Sequence, residues 1–234
     1  MLNYEFLYKT FFVALSGVPT ALLITVTAMI FALPLGFMLA LARLNQVPVL
    51  HRIAQVYVSF VRGTPMIVQI FIIYNSVPLL LSRLFTSLHI NVKIYDINPI
   101  WYAFIVFSIN TIAILSEVFR SALGAVNKGQ LEAAQSVGLT NFQAYTQVII
   151  PQALTVALPN ICNATTNLIK GTSLGYAMSL KEITLRAKVA ANVGYNYVEA
   201  YIDIFLVYLI ICGLVEYGFK LFEKRIRTYK SVNA

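Results

Sequence analysis

Four long segments of the chain contain no Lys, Arg, Asp or Glu, and they dominate its pattern of hydrophobic and polar positions. These segments are residues 10–42, 63–82, 97–116 and 133–169. Each provides the roughly 20 residues that an α-helix needs to cross the hydrocarbon core of a bilayer. None shows the strict alternation of apolar and polar residues that is typical of half-buried strands. The pattern therefore predicts an integral membrane protein whose spans are helices.

We expect about five transmembrane helices in one membrane domain that comprises residues 1–234, because no polar segment between the spans is long enough to bury a core of its own. The fold class is an all-α integral membrane protein. The expected spans lie near residues 12–42, 54–82, 98–123, 157–180 and 198–222.

Composition and charge agree with a membrane location and indicate an orientation. Hydrophobic residues make up 59% of the chain and charged residues 11%, against roughly 25% charged residues in soluble proteins. The net charge of +8 would suggest a nucleic-acid partner in a soluble protein, but a basic cluster directly follows the last span. Such a cluster is typical of a cytoplasmic end that faces membrane lipid. Its members are Lys220, Lys224, Arg225, Arg227 and Lys230. We therefore expect a cytoplasmic C-terminus, an external N-terminus and no nucleic-acid partner.

Polar residues recur along the fourth expected span at intervals of three or four. A helix places residues with this spacing on one stripe. The stripe consists of Asn160, Asn163, Asn167, Lys170 and Ser173. Two interpretations remain open: hydrogen bonding between packed helices, or the polar lining of a pathway that replaces the hydration of a solute.

Other charged and polar residues lie in or near the spans, where charges are costly and usually face protein or water. Arg62 and Gln69 are seven residues apart, on one face of the second expected span. Arg62 could reach the lipid headgroups or pair with Glu117 or Glu216, and Glu117 could equally pair with Arg120. We regard Arg62, Gln69, Glu117 and Arg120 as possible structural or gating residues.

Two acidic residues share a face at the start of the last span. Glu199 and Asp203 are four residues apart. They could bind the ammonium group of a substrate, or neutralise Arg186 and Lys188 in the preceding segment.

A short surface helix is expected near residues 129–141, between the third and fourth spans. Glu132, Ala133 and Ala134 favour a helix, and Gly138 can end it in a left-handed conformation. From the residues alone, an ordinary amphipathic connector is as plausible as a docking element.

This segment resembles the EAA motif of the permeases of ATP-binding-cassette importers, E-A-A-x3-G-x9-I-x-L-P. Glu132, Ala133, Ala134, Gly138 and Pro151 match it, with Val148 and Ile150 as apolar replacements. In that family the motif forms the coupling helix, which fits into a groove of the ATPase subunit. The resemblance thus implies that Glu132, Ala133, Ala134 and Gly138 couple the chain to an ATPase.

Three more segments are similar to the permeases for polar amino acids, those of the histidine, glutamine, arginine and cystine type. They are residues 60–65 with Gln69, residues 117–121 leading into 128–130, and residues 170–174. The similarity covers roughly residues 15–220 and implies a type I importer fold in the cytoplasmic membrane of a bacterium. It also implies three kinds of partner: a second permease copy or a related permease, nucleotide-binding ATPase subunits, and an extracytoplasmic amino-acid-binding protein.

We expect no enzymatic activity and no cofactor in the chain itself. Its nearest approach to a phosphate-binding loop is Gly124 to Gly129, which is followed by Gln130 and Leu131 where Lys and a hydroxyl residue are needed. ATP and Mg²⁺ would therefore bind to the partner ATPase. Metal ligation is not expected either, because His51, His89, Cys162 and Cys212 are scattered along the sequence.

Two alternative functions remain from the sequence. A permease of this kind for a peptide or a sugar would carry the same EAA motif. A secondary transporter would need titratable residues within the membrane, whereas Glu117, Asp203 and Glu216 lie toward the ends of the expected spans.

Overall fold

The computed structural model describes residues 2–90 and 94–232, with side chains up to Arg225. Arg227 and Lys230 of the basic cluster, and Lys93, therefore lie outside the described side chains. The described helices are α1 (Tyr4–Leu15), α2 (Val18–Leu44), α3 (Leu50–Gly63), α4 (Met66–Ser87), α5 (Ile100–Gly124), α6 (Lys128–Ser136), α7 (Asn141–Ala144), α8 (Ile150–Gly171), α9 (Ile183–Ala191) and α10 (Tyr197–Val232). A π-helical turn, Tyr145–Ile149, precedes α8, and a 3₁₀ segment, Thr172–Met178, follows it.

Within the described residues, five helical segments are long and apolar enough to cross a membrane, as the sequence predicts. They are Tyr4–Leu44, Met66–Ser87, Ile100–Gly124, Asn141–Met178 and Tyr197–Arg225. The first begins earlier than expected and contains a break between α1 and α2. The last continues beyond the expected end, because α10 runs to Val232.

The prediction of one continuous helix over residues 54–82 is wrong. Residue Thr64 is extended, with φ −114° and ψ 142°, and it separates α3 from α4. Pro65 explains the break, because the residue before a proline is driven out of the helical region. Helix α3 is instead an amphipathic segment that buries Ala54, Val58 and Val61.

Helix α5 is the centre of the bundle. It packs most extensively against α2 and also contacts α3, α4 and α8. Small residues on α2 allow this close approach: a Cβ atom added to Gly36 would lie 3.1 Å from Leu115 Cβ. Small residues serve the same purpose in membrane bundles generally.

The bundle has two ends with different surroundings. At one, the α6 end, Leu131, Tyr145 and Phe219 of α10 pack against one apolar cluster, which residues of α2, α5 and α8 form. At the other, the α9 end, α9 packs against α1 and α10. There a Cβ atom on Gly17 would lie 2.4 Å from the backbone nitrogen of Ile183, so only glycine fits at the break between α1 and α2.

Candidate functional site: a polar helix face and a lysine cavity

The five polar residues of the fourth span form an open face on α8 and the 3₁₀ segment. Asn160, Asn163, Asn167 and Lys170 are exposed, and Ser173 is half-buried. The opposite face of α8 packs inside the bundle, where Ile161, Leu168 and Ile169 are buried. The apolar side of α8 therefore supports the fold, and its polar side is free to meet water, solute or another subunit.

A cavity of about 450 Å³ lies at the α9 end of this polar face. We call it the lysine cavity. Lys170 and Ser173 belong to the polar face, and the remaining walls come from the 3₁₀ segment, α9 and α10. The other lining residues are Tyr176, Thr184, Lys188, Tyr201, Ile204, Phe205 and Tyr208. Sequence spacing finds Lys170 and Ser173 but not Lys188, because α9 reaches the cavity only through tertiary packing.

The cavity has two ammonium groups in its wall, and its described lining contains no acidic residue. Lys188 Nζ lies 4.4 Å from the centre of the Tyr176 ring, in a cation–π contact. Neither Lys170 nor Lys188 forms a salt bridge within the described part of the chain. The Thr184 hydroxyl is buried and forms no hydrogen bond with a described residue, although Glu182 and Tyr208 are its neighbours. The lining is therefore suited to an anionic group.

Glu182 lies behind the cavity wall and holds the start of α9. Its two carboxylate oxygens accept hydrogen bonds from the backbone nitrogens of Thr184, at 2.8 Å, and Leu185, at 2.9 Å. The Tyr208 hydroxyl donates to Glu182 Oε2 at 3.1 Å. Burial raises the pKa of Glu182 to about 7, although these hydrogen bonds favour the ionised form. Glutamate is an uncommon helix cap, so the sequence alone gives no sign of this role.

Glu199 and Asp203 do not neutralise Arg186 or Lys188, one of the two roles that the sequence left open for them, because no salt bridge joins these residues in the described part of the chain. Glu199 accepts a hydrogen bond from the backbone nitrogen of Asn3 at 2.8 Å. Asp203 is fully buried, and its oxygens have no hydrogen-bond partner among the described residues. Arg186 instead donates to the Lys181 carbonyl oxygen and the Ser16 hydroxyl.

The expected coupling segment forms a separate exposed helix at the opposite end of the bundle. Helix α6 spans Lys128–Ser136 and is capped by the Asn127 side chain, which accepts from the Gly129 nitrogen. Glu132 and Ala133 are exposed, while Ala134 is buried against the rest of the chain. Glu132 lies in the second turn of α6. Gly138 follows the helix with φ +87°, a left-handed conformation that suits glycine.

Two large apolar side chains flank this turn, and the sequence analysis did not identify them. Val137 and Phe142 are each 78% exposed. Apolar residues this exposed, beside a short exposed helix, are candidates for contact with another molecule.

Glu117 connects two helices at the α6 end. Its Oε1 pairs with Arg43 of α2, and its Oε2 accepts from Arg120 of α5 at 2.8 Å. The sequence left Arg62 and Arg120 open as partners of Glu117. The structure shows Arg120 as a partner, together with Arg43, which the sequence did not suggest. Arg62 is exposed and forms no salt bridge with a described residue.

Gln69 does not share a helix face with Arg62, as the sequence had predicted, because α3 ends between them. Its buried amide nitrogen instead donates to the carbonyl oxygens of Val61 and Thr64, at 2.8 and 3.1 Å, and to the Thr64 hydroxyl at 2.8 Å. Asn110 Nδ2 lies 3.4 Å from Gln69 Oε1. Gln69 is thus a structural residue at the junction of α3 and α4.

Comparison with known proteins places this arrangement in a family. The sequence profile of the family described as "Binding-protein-dependent transport system inner membrane component" matches residues 32–228. The chain is 36% identical over 223 residues to the probable amino-acid permease protein YxeN of Bacillus subtilis (strain 168), covering 95% of both chains. It is 34% identical to the L-cystine transport system permease protein TcyL of the same organism, over 89% of this chain and 85% of the relative.

A solved structure shares the fold. Its title is "Crystal structure of an amino acid ABC transporter with histidines", and it matches 96% of this chain and 99% of its own with a TM-score of 0.80 and 27% sequence identity.

Proposed function

Since the chain belongs to the family of binding-protein-dependent transport system inner membrane components, we propose that it is the permease subunit of an ATP-driven importer for a polar amino acid. The observation that carries this proposal is the polar face of α8, which is open while the opposite face is packed, and which ends in the lysine cavity. The relatives named for amino-acid and L-cystine transport support an amino-acid substrate.

The chain acts in an assembly. A second copy, or a related permease, packs against the open side of α8 and completes the pathway, because one chain leaves that polar face uncovered. Two ATPase subunits bind on the cytoplasmic side, where they hold ATP and Mg²⁺, and an extracytoplasmic binding protein delivers the solute. A closed symmetric dimer is the commonest way in which such a half-pathway is completed.

The orientation follows from the basic end of α10. Phe219 of α10 packs in the same apolar cluster as Leu131 of α6, so Lys220, Lys224 and Arg225 follow at the α6 end. A basic end of this kind is typical of the cytoplasmic side. We therefore place α6 and the C-terminus in the cytoplasm, and the lysine cavity toward the outside.

Coupling passes from the ATPase through α6 into the spans. Glu132, Ala133 and Gly138, with Val137 and Phe142, form the surface that docks on the ATPase. Leu131 of α6 and Tyr145 of the following π-helical turn pack against an apolar cluster of α2, α5 and α8. A displacement of α6 therefore moves α8, the helix that carries the polar face. ATP binding would bring the two α6 helices together and open the pathway outward, and hydrolysis would reverse the movement.

Reconstitution of the complex, with its ATPase subunits and binding protein, in vesicles tests the proposal. ATP-dependent accumulation of a polar amino acid from a radiolabelled panel is the expected result. Accumulation of only a sugar or a peptide, or of no solute, would contradict it.

The coupling role of α6 has its own test. Gly138→Val forces a β-branched residue into positive φ and should abolish both uptake and co-purification of the ATPase. Gly213→Val is a suitable control, because Gly213 is exposed within α10 and has open space around it. Normal uptake by the Gly138→Val complex would remove α6 from the coupling path.

A further inference from the structure

The lysine cavity carries information about the charge of the solute. We propose that this cavity binds the carboxylate of the transported amino acid and excludes cationic side chains, so that the solute is a neutral or an acidic amino acid. The inference rests on the proposed function and concerns which amino acids the permease itself accepts.

The placement of the two cations favours an anionic ligand. Lys170 comes from the polar face of α8, and Lys188 comes from α9, so they reach the cavity from different elements. The Tyr176 ring fixes the position of the Lys188 ammonium, which reduces the entropy that the side chain would lose on binding an anion. Two ammonium groups in one cavity wall can donate charge-assisted hydrogen bonds to one carboxylate.

Nearby carboxylates do not neutralise these lysines. Glu182 is fully buried, and its oxygens are engaged by two backbone nitrogens and the Tyr208 hydroxyl. Glu199 and Asp203 are buried on the side of α10 opposite to Tyr201 and Phe205, which line the cavity. The only other charged group nearby on α9, Arg186, is also cationic.

The remaining lining of the lysine cavity also suits a small charged solute. The buried Thr184 hydroxyl has no hydrogen-bond partner within the described residues and lines the cavity. It adds a polar contact to the lining beside Glu182 and Tyr208. Tyr201 and Phe205 supply aromatic surface, and the volume of about 450 Å³ is within the range of small-molecule sites. The cavity can therefore hold a small zwitterion or dicarboxylate, and a guanidinium or second ammonium would meet two like charges.

Equilibrium binding to the permease–ATPase complex in nanodiscs, without the binding protein, tests this inference directly, because the binding protein would impose its own selectivity on uptake. The probes are radiolabelled glutamine, glutamate and arginine. We expect glutamine and glutamate to bind at least about tenfold more tightly than arginine, the scale of one hydrogen bond to a charged group.

Charge reversal sharpens the test. Lys188→Glu should weaken glutamate binding by about tenfold or more and strengthen arginine binding, whereas Lys188→Arg should keep the wild-type order. Lys181→Glu is the matched control, because Lys181 is exposed at the same end of the bundle and does not line the cavity. Lys188→Gln provides a variant without reversed charge should Lys188→Glu fail to assemble.

Three results would overturn the inference. Tighter binding of arginine by the wild type would do so, as would an unchanged order in both Lys188→Glu and Lys188→Gln. The third is that no amino acid binds while phosphatidylglycerol is retained in a way that depends on Lys188. Nanodiscs with and without that lipid provide the comparison. This result would make the cavity a site for a lipid phosphate. In each case, ATP-driven uptake by the complete reconstituted system would leave the proposed function standing.

Discussion

The side-chain amide of Gln69, in the first turn of α4, donates a hydrogen bond to the backbone carbonyl of Val61, in the last turn of α3, at 2.8 Å. The last carbonyl oxygens of a helix lack partners within the helix. Gln69 supplies a donor for one of them and also binds both oxygens of Thr64. It therefore fixes the angle at which the chain passes from α3 into the second long apolar helix.

Gln69→Leu should destabilise this junction. The substitution removes the donor and leaves the buried Val61 carbonyl unpaired, a loss of about 1 to 3 kcal/mol. The measurement is the midpoint temperature of unfolding of the purified complex. Asn75→Leu, on the same helix, removes an exposed amide that bonds only within α4 and should have little effect. Equal midpoints for the two variants would show that the Gln69 bonds do not hold the junction.

Glu117→Gln should lower the unfolding midpoint more than Arg120→Gln. Glu117 is the shared partner of two arginines, so its loss of charge leaves both unpaired, including Arg43, whose side chain is only 13% exposed. Arg120 is 43% exposed, and water screens its charge. The reverse order of midpoints would mean that the Arg43 pair contributes little to the contact between α2 and α5.

Glu182 should make the complex more stable as the pH falls. Its folded-state pKa, raised by burial to about 7, exceeds its ordinary value of 4.5. The folded state therefore binds this proton more tightly, and its contribution to stability grows as the pH falls through about 7 and is complete below about 4.5.

The slope of unfolding midpoint against pH, between about pH 8 and about pH 5, measures this contribution. Glu182→Gln should flatten the slope while retaining an acceptor for Tyr208. Glu132→Gln, a change at an exposed glutamate, should keep the wild-type slope. An identical slope for the wild type and Glu182→Gln would show that Glu182 does not titrate in this range.

The long apolar helices were accessible to sequence reasoning because each is defined by local composition. The break after α3 was not recognised, since the apolar run continues from residue 63 to residue 82 through Pro65. The polar positions of α3, such as Gln55, Ser59 and Arg62, were the available signal that this part is a surface helix of different character.

Only part of the candidate site could be predicted from the sequence, for a similar reason. The asparagines and Lys170 share one helix, so their spacing alone places them on one face. Lys188, Glu182 and Tyr208 come from elements that meet only in the folded bundle. Arg43 joins Glu117 across 74 residues of sequence, a distance over which no local pattern gives information.

The central claim is that the polar face of α8 lines a water-filled pathway. Single cysteines at positions 158–175, in a chain whose Cys162 and Cys212 are first replaced by alanine, report this through reaction with a membrane-impermeant thiol reagent. The assembled complex must be used, so that the second permease is in place. A cysteine at Val193, which follows α9 and is 91% exposed, provides the positive control for labelling at the outer end of the bundle.

We expect cysteines at positions 160, 163, 167 and 170 to react and to be protected by the transported amino acid, while those at 161, 168 and 169 remain unreactive. Failure of the four polar-face positions to react in a complex whose Val193→Cys control is labelled would contradict the claim. It would show that this face of α8 forms a dry contact between helices.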